Sequence, residues 1–223
     1  MSTTTRPQVL FVYYTYTQQA LKVAEAMAAV LRDRGCEVHM APIAFTDPRY
    51  AHRFFSFPLQ HVYRDLFGLV LPQLRRETGE IRIPQNAQEG DYDLICIGSP
   101  TWWLTTSMPI RSFLLSDAAG RLLAGKRFAA YVVCRRYWRN NLSTVQKLGV
   151  ALGGEYIGGI HFAYLGGQVR SLLSLISYLA TGEYRERYLG VKIPPTNIQP
   201  GQLEAARAFA QELADALLAP ALV

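Results

Sequence analysis

VLFVYYTYTQQALKVAEAMAAVL, residues 9–31, is the stretch on which the reading of the fold turns. Residues 9–14 form an unbroken apolar, β-branched and aromatic run, the composition of a strand buried on both faces. A short hydroxyl-bearing turn follows, Thr15-Tyr16-Thr17. Helical periodicity then starts at once, with Ala20, Val23, Ala24, Met27, Ala28 and Leu31 on one apolar stripe. A strand that turns directly into a helix leaves the first helical N–H groups without partners, aimed at the space above the strand end. The helix dipole adds to their effect, so that space favours an anion and suits a phosphate. The pattern is that of the first β–α turn in a doubly wound sheet.

Composition bounds the rest. At 223 residues, half of them hydrophobic, the chain is sized for a single domain with a decoration and has ample core. The start of the chain, residues 1–8, is polar and lacks the apolar core of a secretion signal. No apolar run is long enough to span a bilayer. Cys36, Cys96 and Cys134 are odd in number and far apart, which argues against a disulfide framework and for the reducing cytoplasm. The formal charge of +6 is spread over isolated arginines, with no basic block that singles out nucleic acid. Four scattered histidines with no cysteine at ligand spacing give no metal site.

Further along, residues 37–43 read as a second strand and residues 92–98 (YDLICIG) as a third. Between them, residues 59–76 carry a helical stripe that Pro72 should divide after Gly68. The third strand ends in Ser99-Pro100-Thr101-Trp102-Trp103, and Ser107 can cap the helix that follows, with Pro109 in its first turn. A fourth strand, residues 126–134, ends in Cys134-Arg135-Arg136-Tyr137-Trp138; Asn140 or Asn141 can cap the next helix. A fifth strand covers residues 155–162, and residues 202–218 close the chain as an amphipathic helix. The strict alternation calls for a parallel sheet with helices on both faces. Residues 165–199 are extra, and their stripe of Leu172, Leu175, Ile176 and Leu179 must cover the sheet's edge helix, a second subunit or a lipid surface, of which a subunit contact is expected.

In an open parallel sheet, ligands bind beyond the carboxyl ends of the strands, at the switch in strand order. The loops after the first, third and fourth strands therefore become neighbours. One suits a phosphate and the other two supply large flat faces, so a planar ring system with a phosphate tail fits both; FMN has this shape. Each feature has a structural alternative: Trp102 and Trp103 as core, Tyr137 and Trp138 as surface packing, Arg135 and Arg136 as solvated charges, Cys134 as a buried strand-end thiol.

On these residues the sequence resembles the flavodoxin-like FMN-binding family. The resemblance rests on Thr15-Tyr16-Thr17, on Gly98-Ser99-Pro100-Thr101-Trp102 and on the alternation of elements. It implies a three-layer α/β fold with a five-stranded parallel sheet in the order 2-1-3-4-5. It also implies FMN held by Thr15, Tyr16, Thr17, Gln18, Gln19 and Ala20 at the phosphate. Ser99, Pro100, Thr101, Trp102 and Trp103 would lie along the ring, with Cys134, Arg135, Arg136, Tyr137 and Trp138 at its other edge. Two positions depart from the family's loop: Gln18 stands where it has glycine and Ala20 where it has threonine. The second loop is closer to NAD(P)H:quinone reductases than to small shuttles. The activity implied is transfer of electrons or hydride from NAD(P)H to a quinone-like acceptor. No general acid or base stands out, and transfer to and from a flavin requires none. An electron carrier and a flavin-free interaction protein are the two other classes this pattern admits.

Overall fold

The computed structural model describes residues 6–164 and 166–219; the first five residues and Leu165, with which the extra segment begins, lie outside them. The parallel sheet consists of β1 (Gln8–Tyr13), β2 (Glu37–Pro42), β3 (Leu94–Trp102), β4 (Arg127–Cys134) and β5 (Glu155–Ala163). Their spatial order is β2-β1-β3-β4-β5, the order the family resemblance implies. A two-residue strand, Thr105–Thr106, folds back antiparallel on Thr101 and Trp102, which is why β3 runs four residues past the expected end.

The helices in chain order are α1 (Gln19–Asp33), α2 (Val62–Phe67), α3 (Val70–Leu74), α4 (Met108–Leu114), α5 (Asp117–Leu123), α6 (Trp138–Ala151), α7 (Gln168–Thr181) and α8 (Pro200–Leu218); a single turn at Asn86–Glu89 adds to them. Side chains on the central strands alternate between two cores, as the strand period of two requires. Leu10, Val12, Ile95, Ile97, Phe128 and Ala130 face α4, α5 and α6. Val9, Phe11, Leu94, Cys96, Ala129 and Tyr131 face α1 and α8. α1 ends at Asp33, with Gly35 beyond it at φ +87 in the left-handed conformation glycine allows.

Pro72 divides the 59–76 stretch as expected: lacking an N–H, it falls in the second of two short helices, with the break at Gly68-Leu69. The expected cap at Asn140 or Asn141 is corrected. Tyr137, in the left-handed region, starts α6 three residues earlier, and Asn141 instead holds β3: its Nδ2 donates to the Ser99 carbonyl at 3.2 Å and to Thr101 Oγ1 at 2.9 Å. The stripe on α7 is also reassigned. Ile176 and Leu179 are buried against Leu59 and Val62 of the same chain, with Leu172 and Leu175 packed partly against the same cluster, so this stripe roofs the domain.

Candidate functional site

A cavity of about 920 Å³ opens where β1, β3, β4 and β5 end. Its floor is the three loops singled out in the sequence, and its roof is α7 with residues 194–199.

At one end, β1 runs into a turn that α1 continues, and no side chain caps that helix. No acidic residue lies in its first turn, so its N–H groups face the cavity uncompensated. Thr15 and Thr17 line the cavity half-buried, and among the described residues no group takes up either hydroxyl. Gln18 sits at φ +62, the left-handed conformation for which glycine is suited; its side chain points to solvent and does not line the cavity. Gln19 is buried and braces the turn, its Nε2 donating to the Thr17 carbonyl at 3.0 Å. Ala20, also buried, lines the cavity. Tyr16 reaches across instead, its hydroxyl donating to the Ser56 carbonyl at 2.5 Å and its ring meeting Phe54 and Phe57 edge-on. Burial, with Asp65 nearby, pushes the Tyr16 phenol up to about 12, so it remains a donor at neutral pH.

The second loop is held from behind by a buried polar clamp. Gln73 Nε2 donates to the carbonyls of Trp102 and Thr106, both at 3.1 Å, and Arg111 Nη2 donates to the Thr106 carbonyl at 2.8 Å. These bonds fix both ends of the Trp103-Leu104 turn. Trp102 stacks on Phe54 with centroids 5.1 Å apart and meets Tyr14 edge-on, so much of its face is taken up by packing. Trp103, at φ +55, donates from Nε1 to the Leu66 carbonyl at 3.2 Å. Pro100, Thr101, Trp102 and Trp103 line the cavity, whereas Ser99 is fully buried beneath it.

In the third loop the two arginines diverge. Arg135 turns up to the roof, where its Nη1 donates to Ser171 Oγ at 2.9 Å and to the Gln168 carbonyl at 3.1 Å. Arg136 stays exposed over the Tyr137 ring, 5.7 Å from its centroid. Cys134 lines the cavity, but burial pushes its thiol up to about 12, too high for a thiolate nucleophile at neutral pH. Trp138 is not in the cavity: it stacks on His161 of β5, centroids 3.5 Å apart.

Gln18, Trp103 and Tyr137 are thus non-glycine residues at positive φ, one in each loop of the floor. Such strain persists where the surroundings over-determine it, and it gathers at functional sites. The roof is what the sequence did not disclose. Leu172, Leu175 and Tyr178 from α7, with Phe54, Leu59 and Leu66 from the 54–69 stretch, make an apolar wall opposite the floor. Asp65 lines it too, buried, with Arg64 at 3.3 Å. The stripe was legible as a stripe, but nothing in sequence spacing says that residues over 100 positions apart meet.

No protein-family model matches the chain. An NAD(P)H dehydrogenase (quinone) of Archaeoglobus fulgidus is 27% identical over 125 residues, covering 56% of this chain and 58% of the relative. A flavoprotein of Lactobacillus acidophilus, solved in complex with FMN, superposes with a TM-score of 0.52 at 19% identity, over 70% of this chain and 93% of that one. A flavodoxin from the domain Archaea gives 0.51 at 11% identity, over 94% and 98%. The chain has the flavodoxin-like fold.

Proposed function

We propose that this flavodoxin-like chain is an FMN-dependent oxidoreductase that passes electrons, as hydride, from NAD(P)H to a small quinone-like acceptor. The observation that carries the reading is one juxtaposition. An uncapped helix start with two unpartnered threonine hydroxyls opens into the same cavity as the aromatic loops of β3 and β4. Phosphate at one end and a flat ring at the other match that chemistry. The cavity volume, about 920 Å³, lies near the top of the range for small-molecule sites, which leaves room for a cofactor and a second molecule.

When bound, FMN supplies the electron and hydride chemistry. The chain's residues do the rest. Thr15, Thr17 and the N–H groups of residues 18–20 hold the phosphate. Pro100, Thr101 and Trp103 bear on the ring from the β3 side, and Arg136 and Tyr137 from the β4 side. The roof excludes water, and Leu172, Leu175 and Tyr178 offer the acceptor an apolar surface. That roof separates this reading from an electron carrier, whose ring edge must stay open to a protein partner. Three widely separated, buried cysteines suit the reducing cytoplasm as its compartment.

The purified protein should be yellow or should quench added FMN, and should consume NAD(P)H in the presence of a quinone. Leu175→Ala should raise the acceptor KM several-fold with FMN affinity unchanged. A colourless chain that does not bind FMN overturns the reading.

A further inference from the structure

We infer that the outer face of α2 and α3, together with the hairpin of residues 187–192, docks this protein on an anionic lipid surface. Val62 and Leu69 turn inward from these helices, and Leu66 lines the cavity. The outer side carries Tyr63 and Phe67 on α2, four residues apart, and Leu71 and Leu74 on α3, three apart, and these are 50%, 46%, 53% and 53% exposed. Singly, exposed apolar residues need no explanation, but a contiguous face of them does.

The face is continuous. Trp103 packs on Phe67, with centroids 5.4 Å apart, and the next residue, Leu104, is also exposed. On the other side, the Tyr63 and Tyr188 hydroxyls lie 3.2 Å apart and join α2 to the hairpin. At the hairpin tip Leu189 and Gly190 have φ +48 and +77, the pattern of a two-residue turn in which asparagine-glycine is favoured. Leu189 is strained there and 73% exposed, so neither turn chemistry nor packing accounts for a leucine at that point.

Charge decides between occupants. The two helices and the hairpin carry Arg64, Arg187 and Lys192 against Asp65, which is buried beside Arg64, and the residues flanking them add Arg75, Arg76 and Arg185 against Glu77, Glu183 and Glu186, so the face is net basic. A second copy docked about a two-fold axis would set these cations against one another. Anionic headgroups neutralise them, while the aromatic and leucine side chains enter the acyl boundary. Leu104 belongs both to this face and to the cavity lining, so docking sets the cavity rim against the lipid.

The full chain is sedimented with phosphatidylcholine vesicles, with and without phosphatidylserine, at low and high salt. Partition onto the anionic vesicles should be at least about tenfold stronger and should fall with salt. Phe67→Glu combined with Leu71→Glu should abolish it, with circular dichroism and the melting curve unchanged. Leu189→Asn gives a second arm that separates docking from folding: it restores the favoured turn residue, so it should stabilise the hairpin while weakening vesicle binding. Absence of vesicle binding overturns the inference, as does equal binding to neutral vesicles or undiminished binding by the variants. A doubled mass in light scattering that the glutamate variant returns to a single chain also overturns it and assigns the face to a second copy.

Discussion

Gln19 Oε1 accepts the backbone N–H of Ile198 at 2.9 Å, joining the turn after β1 to the far end of the extra segment 179 residues later. The same side chain donates to Thr17, so the phosphate-suited turn and the wall formed by residues 194–199 share one brace. A buried hydrogen bond of this kind contributes about 1 kcal/mol, and leaving its partner unmade adds about 1–2. Gln19→Leu should therefore lower stability by about 2 kcal/mol. It should also speed amide exchange at Ile198 and at Thr17 relative to the rest of the sheet, a pattern that hydrogen-exchange mass spectrometry reads directly.

Thr17 and Gln18 separate the binding of an anion from the strain of its loop. Thr17→Asp puts a negative charge at the uncapped start of α1, where it occupies the position proposed for the phosphate. The variant should keep its fold and lose FMN quenching at micromolar protein. Thr17→Ala should lose about 1.5–3 kcal/mol of binding, one charge-assisted hydrogen bond. Gln18→Gly relieves a left-handed residue, worth about 1–2 kcal/mol, against about 0.5–1 for the added freedom of the unfolded chain. Net stabilisation of about 0.5–1 kcal/mol is expected in a denaturant melt, with FMN affinity maintained.

How much of this the sequence disclosed follows from the range of each interaction. The 9–31 stretch carries its own strand, turn and helix, and the runs at 92–98 and 126–134 read as buried strands, so alternation gives the parallel sheet while its order came with the family resemblance. Thr15 and Thr17 were legible because the turn is local. Trp102 was legible as an aromatic but not as one stacked on Phe54, and Ser99 and Trp138 leave the cavity through contacts with Asn141 and His161. The roof was hidden for the same reason: Leu179 and Leu59 meet only because α7 crosses the mouth of the sheet. Gln73 and Arg111 gave no signal at all, since a polar residue reads as exposed until its neighbours are known.

The Tyr131 ring covers the face of Gly98 where a side chain would project. A Cβ at Gly98 would lie 2.1 Å from the Tyr131 hydroxyl, so the third strand passes only because that position has no side chain. Gly98→Ala should cost about 3 kcal/mol or more, since neither strand can move aside. The Tyr131 hydroxyl is fully buried and has no hydrogen-bond partner among the described residues. Tyr131→Phe should therefore stabilise the protein by about 1 kcal/mol. Paired urea melts of the two variants test both signs.

Asp47 anchors the loop that leads to Phe54. Its carboxylate accepts from Arg49 Nη2 at 2.8 Å, Arg49 Nε at 3.0 Å, Arg49 N at 2.9 Å and Glu80 N at 3.1 Å. These bonds, the Arg49 side chain's first, hold its pKa down at about 2 from 3.8. A depressed carboxylate contributes stability that is fully present above the unfolded value and is lost as pH falls through the folded one. The window is thus about pH 4 down to about 2, and the amount about 1–2 kcal/mol, because the partner Arg49 is half exposed and screened. Asp47→Asn should remove this part of the acid dependence and lower stability at neutral pH by the same amount, as thermal melts across that range would register.

Among the described residues lining the cavity, Arg136 is the cation left free to act on the site, since Arg135 is committed to Gln168 and Ser171. It lies over Tyr137 at the edge of the cavity, and the described residues of the Cys134–Trp138 loop include no acid. A cation there favours the more negative, reduced form of a bound flavin and so raises its two-electron potential. Arg136 is exposed, so the interaction is screened to about 1 kcal/mol, which corresponds to roughly 20 mV for two electrons. Arg136→Gln should lower the FMN midpoint by about that much and slow reduction by NAD(P)H, with little change in FMN affinity. Arg135→Gln should act differently. It removes the tie between β4 and α7, so it should loosen the roof, raise the acceptor KM and leave the midpoint within a few millivolts of the wild type. Spectroelectrochemical titration of the two variants side by side distinguishes the roles, and equal midpoints in all three proteins would remove Arg136 from the flavin's surroundings.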